Sequence, residues 1–401
     1  AHLANEEVAE TGLGNSVDKA AKLAAACQAL PDLLVGTRPV GERLVNSGLV
    51  EIRRGVGVVL GIIPVANALP TLLHTALCCL KARCALIASC PHVALGVGGR
   101  LGEILRGVLI RHGANPDLVQ WIFRRASRAT TSAFMTHSGV ALVVASAGAT
   151  VLRAAHSSGR PALGMGAANT PVWVAADADL AEAAQLIVAS KSFDHGLTPG
   201  CEHNLVVDRA VRAAFVEALE QAGAVVLSDY DVEHFARQAL DAETGSLRAD
   251  LIGQSAAEIL AHAGLDRGLE PRLVVVPQAP DKVLGRWGRE KLAPVVSLFT
   301  ADGETAAVAV CRHLLSLAGA GHTAIVHTAD SEAARRFASA LPVGRVLCNC
   351  GGSTGALGLG NALPYSWTLG GGVWAGTTTS DNIGVEHLLT TTRLAAPVIT
   401  S

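Results

Sequence analysis

The run Val140-Ala-Leu-Val-Val-Ala-Ser146 decides the fold class, because it is apolar at consecutive positions and not at alternating ones. A strand of this composition is covered on both faces, as in the parallel sheets of α/β proteins. The next residues fit this interpretation: Thr150–Ser157 has the pattern of a short helix, and Pro161–Gly166 is a further strand candidate. A strand, a helix and a second strand in this order predict a parallel βαβ unit.

The same alternation of strands and helices continues on both sides of this unit. Upstream, Cys84–Ser89 is typical of a strand and Val93–His112 of a helix. Downstream, the candidates are helices at Leu180–Lys191, Arg209–Ala222, Thr305–Leu317 and Ser331–Ala340, and strands at Asn204–Val207, Ala224–Leu227, Arg272–Val276 and Thr323–His327. We therefore predict an α/β protein with two lobes that divide between Asn169 and Asp177.

Composition and charge argue against several other classes of protein. The 401 residues are half apolar and carry a formal net charge of -2, with acidic and basic side chains scattered. This balance indicates neither a nucleic-acid partner nor a basic membrane-binding arm. Residues 55–80 contain no Asp, Glu, Lys or Arg, but Pro64, Asn67, Pro70 and His74 interrupt them. A buried strand, a turn and a core helix are therefore favoured over a membrane span.

Cysteine usage favours a reducing compartment. Of the nine cysteines, Cys78-Cys79 and Cys348-Asn-Cys350 are too close together for ordinary disulfides. No CxxC or Cys/His spacing typical of a metal site occurs, and no secretory signal is recognisable at the start of the chain. We expect a cytoplasmic protein without a metal site.

Seven segments of the chain are similar, in the same order, to motifs of one protein family. They are Glu10-Thr-Gly-Leu-Gly14, Val59-Leu-Gly-Ile-Ile-Pro-Val-Ala-Asn67, Ser157-Ser-Gly-Arg-Pro-Ala-Leu-Gly-Met-Gly-Ala-Ala-Asn-Thr-Pro171, Ser192-Phe-Asp-His-Gly196, Glu290-Lys-Leu-Ala-Pro294, Gly321-His-Thr323 and Trp374-Ala-Gly-Thr-Thr-Thr-Ser-Asp-Asn382. Together they resemble the CoA-acylating branch of the aldehyde dehydrogenase superfamily. Bifunctional aldehyde-alcohol dehydrogenases and sulfoacetaldehyde dehydrogenases look most similar. Such relatives carry a further N-terminal helical segment, so this chain is expected to be shorter there.

The resemblance implies a domain arrangement. Residues 1–45 and 59–171 would form a Rossmann-like dinucleotide-binding lobe, and residues 172–370 a catalytic lobe. Two segments fit neither lobe: Val50–Arg54 alternates apolar and charged residues, and His387–Ile399 has a strand-like composition. By the resemblance, residues 46–58 and 371–401 would be oligomerisation strands, so we expect a homodimer or a larger homo-oligomer.

The resemblance also implies the chemistry. A cysteine thiolate attacks an aldehyde, hydride passes to NAD or NADP, and coenzyme A takes the acyl group from the resulting thioester. Relatives that use water instead have a glutamate base in the motif where this chain has Met165. Methionine cannot act as a base, which favours CoA as the acceptor.

Four residues are implied site residues. Asn67 would donate its side-chain amide to the oxygen that becomes anionic, although an Asn at a turn also commonly bonds its own backbone. Glu290 would hold the nicotinamide ribose, unless it is a solvated charge. Ser89 would lie near the adenosine ribose, and with no carboxylate there the choice between NAD and NADP stays open. Gly148 would lie beside the pyrophosphate.

The nucleophile is ambiguous in the sequence. Relatives have a cysteine three residues after their FDNG segment, where this chain has Pro199, and Cys201 follows two residues later. Either the loop is reshaped so that Cys201 is the nucleophile, or the protein is an inactive relative kept for assembly or cofactor binding. His195 and His203 are close enough in sequence to influence the thiol, although loop histidines are more often solvated.

Overall fold

The computed structural model describes residues 1–35, 38–266, 270–278 and 286–397, with side chains except at 30–34, 149, 165 and 286. Its strands are β1 (Gly41–Asn46), β2 (Leu49–Gly55), β3 (Val58–Ile62), β4 (Ala85–Ser89), β5 (Val119–Trp121), β6 (Val140–Ser146), β7 (Ala162–Met165), β8 (Thr170–Val174), β9 (Glu202–Asp208), β10 (Ala224–Val226), β11 (Leu273–Pro277), β12 (Val295–Ala301), β13 (Gly321–His327), β14 (Val343–Cys348) and β15 (Leu389–Ala395). Its helices are α1 (His2–Thr11), α2 (Ser16–Leu34), α3 (Ala68–Lys81), α4 (Leu95–Arg111), α5 (Arg128–Thr136), α6 (Ala149–His156), α7 (Leu180–Ser192), α8 (Arg212–Gln221), α9 (Asp229–Ala239), α10 (Ala256–His262), α11 (Gly303–Leu317), α12 (Ser331–Ala340) and α13 (Gly352–Gly355).

The first lobe is built on a five-stranded parallel sheet of order β5-β4-β3-β6-β7. The continuous apolar run that predicted β6 is buried along most of its length. The chain leaves β3 toward β4 on one side and later returns to β6 on the other. The carboxyl ends of β3 and β6 therefore flank a topological switch point, where open α/β sheets bind ligands.

The second lobe is built on a seven-stranded parallel sheet of order β10-β11-β12-β9-β8-β13-β14. Its central strands carry fully buried side chains such as Val172, Leu205, Leu298 and Ile325. The first strand of this sheet in the chain is β8, within the predicted division between Asn169 and Asp177. Two parallel α/β lobes are thus confirmed.

A third, antiparallel sheet of order β1-β2-β15 is separate from the two parallel sheets. Val50–Arg54 and His387–Ile399 were predicted to be strands. Val50–Arg54 lies in β2, and Leu389–Ala395 of the second segment forms β15. Residues 387 and 388 belong to a short 3-10 helix, 396 and 397 follow the strand, and 398 and 399 are outside the described part. The sheet also contains β1, which our boundaries had placed in the first lobe. Its six residues are all exposed, so no buried pattern marked it as a strand.

Two N-terminal helices, α1 and α2, pack against the first lobe and carry buried charges. Glu7, Lys19 and Lys22 are each at most 3% exposed. A buried charge is costly unless it is paired, so these side chains must have partners inside the molecule.

All nine cysteines are free thiols. Within the described residues no helix is long and apolar enough to cross a membrane. In the same part of the chain, no group of three His, Cys, Asp or Glu side chains is arranged to hold a metal ion.

Candidate active site

A cleft of about 630 Å³ lies between the two lobes. Residues that follow β3, β4 and β6 line one side, which is the switch point of the five-stranded sheet. The cleft brings together Asn67, Ser89, Gly148 and Glu290, four of the five predicted site residues. The fifth, Cys201, does not line it.

Ser89 and Gly148 both lie at the edge of the first sheet where its strands have their carboxyl ends. Ser89 ends β4, and Gly148 is the residue before α6. Backbone N–H groups at the start of a helix favour an anion such as a phosphate. A Cβ atom on Gly148 would meet nothing within 4 Å, so the fold itself does not require glycine there. Glycine would be required at this position only if a ligand approached the backbone closely.

Glu290 comes from the second lobe and faces the first across the cleft. Its Oε1 atom accepts a hydrogen bond of 3.0 Å from the Ala168 backbone N–H. Burial raises the pKa of the Glu290 carboxyl to about 7, against the lowering effects of the Ala168 N–H and of Lys191 and Lys291. The carboxyl therefore titrates near neutral pH.

Asn67 precedes α3 in the turn after β3. Its Oδ1 atom accepts a hydrogen bond of 2.7 Å from Lys22 Nζ, and its Nδ2 atom donates one of 3.0 Å to the Leu197 carbonyl. The structure records no bond from the side chain to its own turn. Asn67 thus connects an N-terminal helix to the loop that leads to Cys201.

The loop after α7 has an unusual backbone. Asp194, His195 and Gly196 all have positive φ, at 46°, 52° and 71°. Left-handed conformations of non-glycine residues cost about 1–3 kcal/mol each and persist only where the surroundings fix them. Here the Asp194 carboxylate accepts hydrogen bonds from the Asn15 backbone N–H, Lys22 Nζ and Lys19 Nζ, at 3.0, 2.5 and 3.2 Å.

Pro199 lines the cleft, whereas Cys201 does not line it and is fully buried. The Cys201 sulfur is 3.4 Å from Lys191 Nζ and 3.4 Å from the Gly196 carbonyl oxygen. Burial raises the pKa of this thiol, and Lys191 opposes that shift in part. In this arrangement the sulfur is a neutral thiol that does not face the Asn67 amide across the cleft.

The two histidines near Cys201 in sequence differ in their surroundings: His195 lies in the loop, and His203 lies in β9. His195 Nδ1 is 2.8 Å from the Gly253 carbonyl oxygen. His203 is buried, with its Nε2 atom 3.9 Å from the Cys201 sulfur. Its Nδ1 atom accepts a hydrogen bond of 3.0 Å from the Lys291 backbone N–H. Burial lowers the pKa of His203 well below its usual range, so the ring stays neutral.

A sequence profile described as the aldehyde dehydrogenase family matches residues 8–359. The chain belongs to the aldehyde dehydrogenase family. This confirms the resemblance read from the seven motifs.

Individual members of the aldehyde dehydrogenase family match most of the chain. An aldehyde-alcohol dehydrogenase of Streptococcus pneumoniae is 33% identical over 393 residues, which are 95% of this chain and 44% of that protein. A sulfoacetaldehyde dehydrogenase (acylating) of Cupriavidus necator is 33% identical over 403 residues, covering 99% and 80%. An acetylating aldehyde dehydrogenase from Geobacillus thermoglucosidasius superposes with a TM-score of 0.95 at 31% identity, covering 100% and 88%. The chain thus spans less than half of the aldehyde-alcohol dehydrogenase.

Several residues at this site were not found from the sequence. Lys22, Asp194 and Lys191 hold the Asn67 turn and the Cys201 loop. The sequence alone does not distinguish a helix lysine that is buried against a distant loop from one that is exposed to solvent. His322 also lines the cleft, and it lies within the Gly321-His-Thr323 motif, which was a usable signal.

Proposed function

We propose that this chain is a CoA-acylating aldehyde dehydrogenase that uses NAD or NADP. The reaction is aldehyde + CoA + NAD(P)⁺ ⇌ acyl-CoA + NAD(P)H + H⁺. The observation that carries the proposal is the cleft at the switch point, where Asn67, Ser89, Gly148 and Glu290 meet from both lobes. The similarity to an acylating sulfoacetaldehyde dehydrogenase and to an acetylating aldehyde dehydrogenase supports the same reaction.

The cleft residues suit a nicotinamide dinucleotide. A volume of about 630 Å³ is within the usual range for small-molecule sites. The Glu290 carboxylate can accept hydrogen bonds from ribose hydroxyls, and the N–H groups after Gly148 can bind the pyrophosphate. Ser89 would contact the adenosine side. When bound, NAD or NADP supplies the hydride acceptor.

Cys201 is proposed as the nucleophile, since no other thiol lies in the loop between the Phe193 segment and β9. After the thiol has lost its proton to solvent, the Cys201 thiolate adds to the carbonyl carbon, and an Asn67 Nδ2–H donates to the oxygen that becomes negative. Loss of hydride leaves an acyl thioester on sulfur, and the CoA thiolate then displaces Cys201. Because the Cys201 sulfur is fully buried and does not line the cleft, the segment around Gly200 has to move before attack. Gly200 already has a φ of 84°, a conformation that glycine adopts without strain.

CoA, not water, is proposed as the acceptor because of Met165. This residue ends β7, paired with Ser146, and its side chain lies outside the described part. A thioether cannot take a proton from water. If water were the acceptor, a carboxylate would be needed at this position to activate it, and Met165 does not provide one.

The assembly proposal rests on the β1-β2-β15 sheet. Leu44 on β1 and Leu394 on β15 are 70% and 61% exposed. Exposed apolar strands at sheet edges favour pairing with another chain. We propose a homodimer or a larger homo-oligomer. The nine free cysteines support a reducing compartment, and we propose the cytoplasm.

A CoA-dependence assay tests the function. The protein is mixed with a short aldehyde and NAD⁺ or NADP⁺, with and without CoA, and NAD(P)H absorbance and products are followed. We expect NAD(P)H only with CoA, together with one equivalent of acyl-CoA. Equal rates without CoA, with free acid as the product, would show that water is the acceptor. No turnover under any condition would remove the enzymatic proposal.

A further inference from the structure

The turn that carries Asn67 is surrounded by four buried charged side chains. They are Glu7, Lys19, Lys22 and Asp194, none of them more than 3% exposed. Two carboxylates and two ammonium groups balance in charge, which lowers the cost of burying them. The proposed cysteine mechanism does not use any of these four groups.

Lys22 is the one member of this cluster that contacts the Asn67 side chain. A lysine ammonium can only donate, so the atom 2.7 Å from Lys22 Nζ must be the amide oxygen. The opposite end of the amide is then nitrogen, which agrees with its donation to the Leu197 carbonyl. Only one of the two Nδ2 hydrogens is used in this way among the described residues. The other is free to donate toward the cleft.

Lys19 is a natural comparison for Lys22. Its Nζ atom also contacts Asp194 Oδ2, at 3.2 Å, but its second bond goes to the Ala66 carbonyl, at 3.1 Å. It therefore supports the backbone of the same turn without contacting the Asn67 amide. The two lysines are both buried and share one carboxylate. Lys19 also lies 4.0 Å from Glu7, and Lys22 lies 5.6 Å from the centre of the Phe193 ring, but the contact with the Asn67 amide belongs to Lys22 alone.

We propose that Lys22 is a positioning residue that fixes the orientation of the Asn67 amide. The proposal rests on the proposed function, in which an Asn67 N–H donates to the developing oxyanion. An amide rotated by half a turn has nearly the same shape, so packing alone discriminates poorly between the two orientations. The rotated form would present oxygen both to the Leu197 carbonyl and to the oxyanion. Lys22 disfavours it by donating to Oδ1, and its bond to Asp194 ties the amide to the loop of Cys201.

The test compares Lys22→Met with Lys19→Met. We expect Lys22→Met to lower kcat by at least about tenfold, toward the about 10²–10³ that one oxyanion donor typically contributes. The KM for aldehyde and the Kd for the dinucleotide should stay nearly unchanged. Lys19→Met should lower kcat much less. In an Asn67→Ala background, Lys22→Met should have no further effect on kcat, because the two residues act as a unit.

Hydrogen exchange gives a readout that does not depend on turnover. Amides in the peptide that spans residues 194–205 should exchange faster in Lys22→Met than in Lys19→Met, since only the first variant releases the Asn67–Leu197 contact. If the wild type turns over no aldehyde, the proposed function is wrong. The exchange comparison alone then tests whether Lys22 holds the Asn67 amide. If circular dichroism shows that Lys22→Met is unfolded, Lys22→Gln and Lys19→Gln replace the pair.

Three results would overturn the role of Lys22. One is an equal loss of kcat in the two lysine variants. Another is a loss of kcat that adds fully to that of Asn67→Ala. The third is equal exchange of the 194–205 peptide in both variants, which would mean that Lys22 only stabilises the fold.

Discussion

Glu290 provides a pH-dependent test of the dinucleotide site. The burial that raises its pKa to about 7 means that the carboxyl is largely protonated at pH 6 and largely ionised at pH 8. Ribose hydroxyls donate hydrogen bonds, so they are held better by the ionised form, which accepts with both oxygens. Because the folded-state pKa is raised, the accepting form is lost as the pH falls below about 7. Dinucleotide binding should weaken in the same direction.

The size of the effect follows from the pKa. If only the ionised form of Glu290 binds, the apparent Kd equals the intrinsic Kd multiplied by 1 + 10^(pKa − pH). With a pKa of about 7, this factor is about 11 at pH 6 and about 1.1 at pH 8. The Kd should therefore rise about tenfold from pH 8 to pH 6, or ~1.4 kcal/mol in binding free energy. Burial also holds the pKa of His322 well below its usual range, so that neighbour stays neutral throughout.

Calorimetric titration of NAD⁺ and NADP⁺ between pH 6 and pH 8 measures this dependence. Glu290→Gln is the matched control, because it keeps the shape and an acceptor oxygen but cannot titrate. We expect its Kd to be weak and nearly independent of pH. A wild-type Kd that does not change with pH would refute the reasoning. So would the same pH dependence in the wild type and in Glu290→Gln, since another group would then be titrating.

The other predictions concern the nucleophile and the assembly. Cys201→Ser should abolish aldehyde oxidation and leave the dinucleotide Kd unchanged, because the sulfur lies outside the cleft; retained oxidation would exclude Cys201. In the wild type, alkylation of Cys201 should be slow until cofactor or substrate changes the loop, as followed by mass spectrometry. Pro199→Cys with Cys201→Ala places a thiol at a cleft position, and a gain of activity over an inactive wild type would identify the chain as an inactive relative. Light scattering should give at least a dimer mass for the wild type and a lower mass after deletion of β15; a monomer mass for both would contradict the assembly proposal.

Much of the fold could be predicted because the buried strands are apolar at consecutive positions. β4, β6 and β13 were found in this way. β1 could not be predicted, because a fully exposed strand has no pattern of buried apolar residues. β12 was not assigned to any strand, although it is buried and central in its sheet. β5, with three residues, was not predicted either, because periodicity cannot distinguish so short a strand from a turn. β10 is equally short, but its apolar residues were assigned to a strand at Ala224–Leu227.

The candidate site was predictable only where motifs carried it. Asn67, Ser89, Gly148 and Glu290 do meet in one cleft, as the family resemblance implied. The position of Cys201 depends on the backbone turn at Asp194 and His195, which spacing along the sequence does not reveal. This backbone turn is stabilised by Lys19 and Lys22 of α2, which lie more than a hundred and seventy residues away in sequence.

The contacts between α2 and Asp194 have a consequence for how the chain folds. Lys22 and Asp194 are separated by 172 residues, and the Asn15 N–H and Asp194 by 179. During synthesis, the last strand of the first lobe, β7, leaves the ribosome before Asp194, which lies 29 residues further along the chain. Until then Lys22 would be a buried ammonium with fewer partners, which disfavours the final docking of α2. The first lobe is thus not expected to fold completely on its own. The N-terminal helices reach their final position only when the second lobe has been synthesised and docks against them.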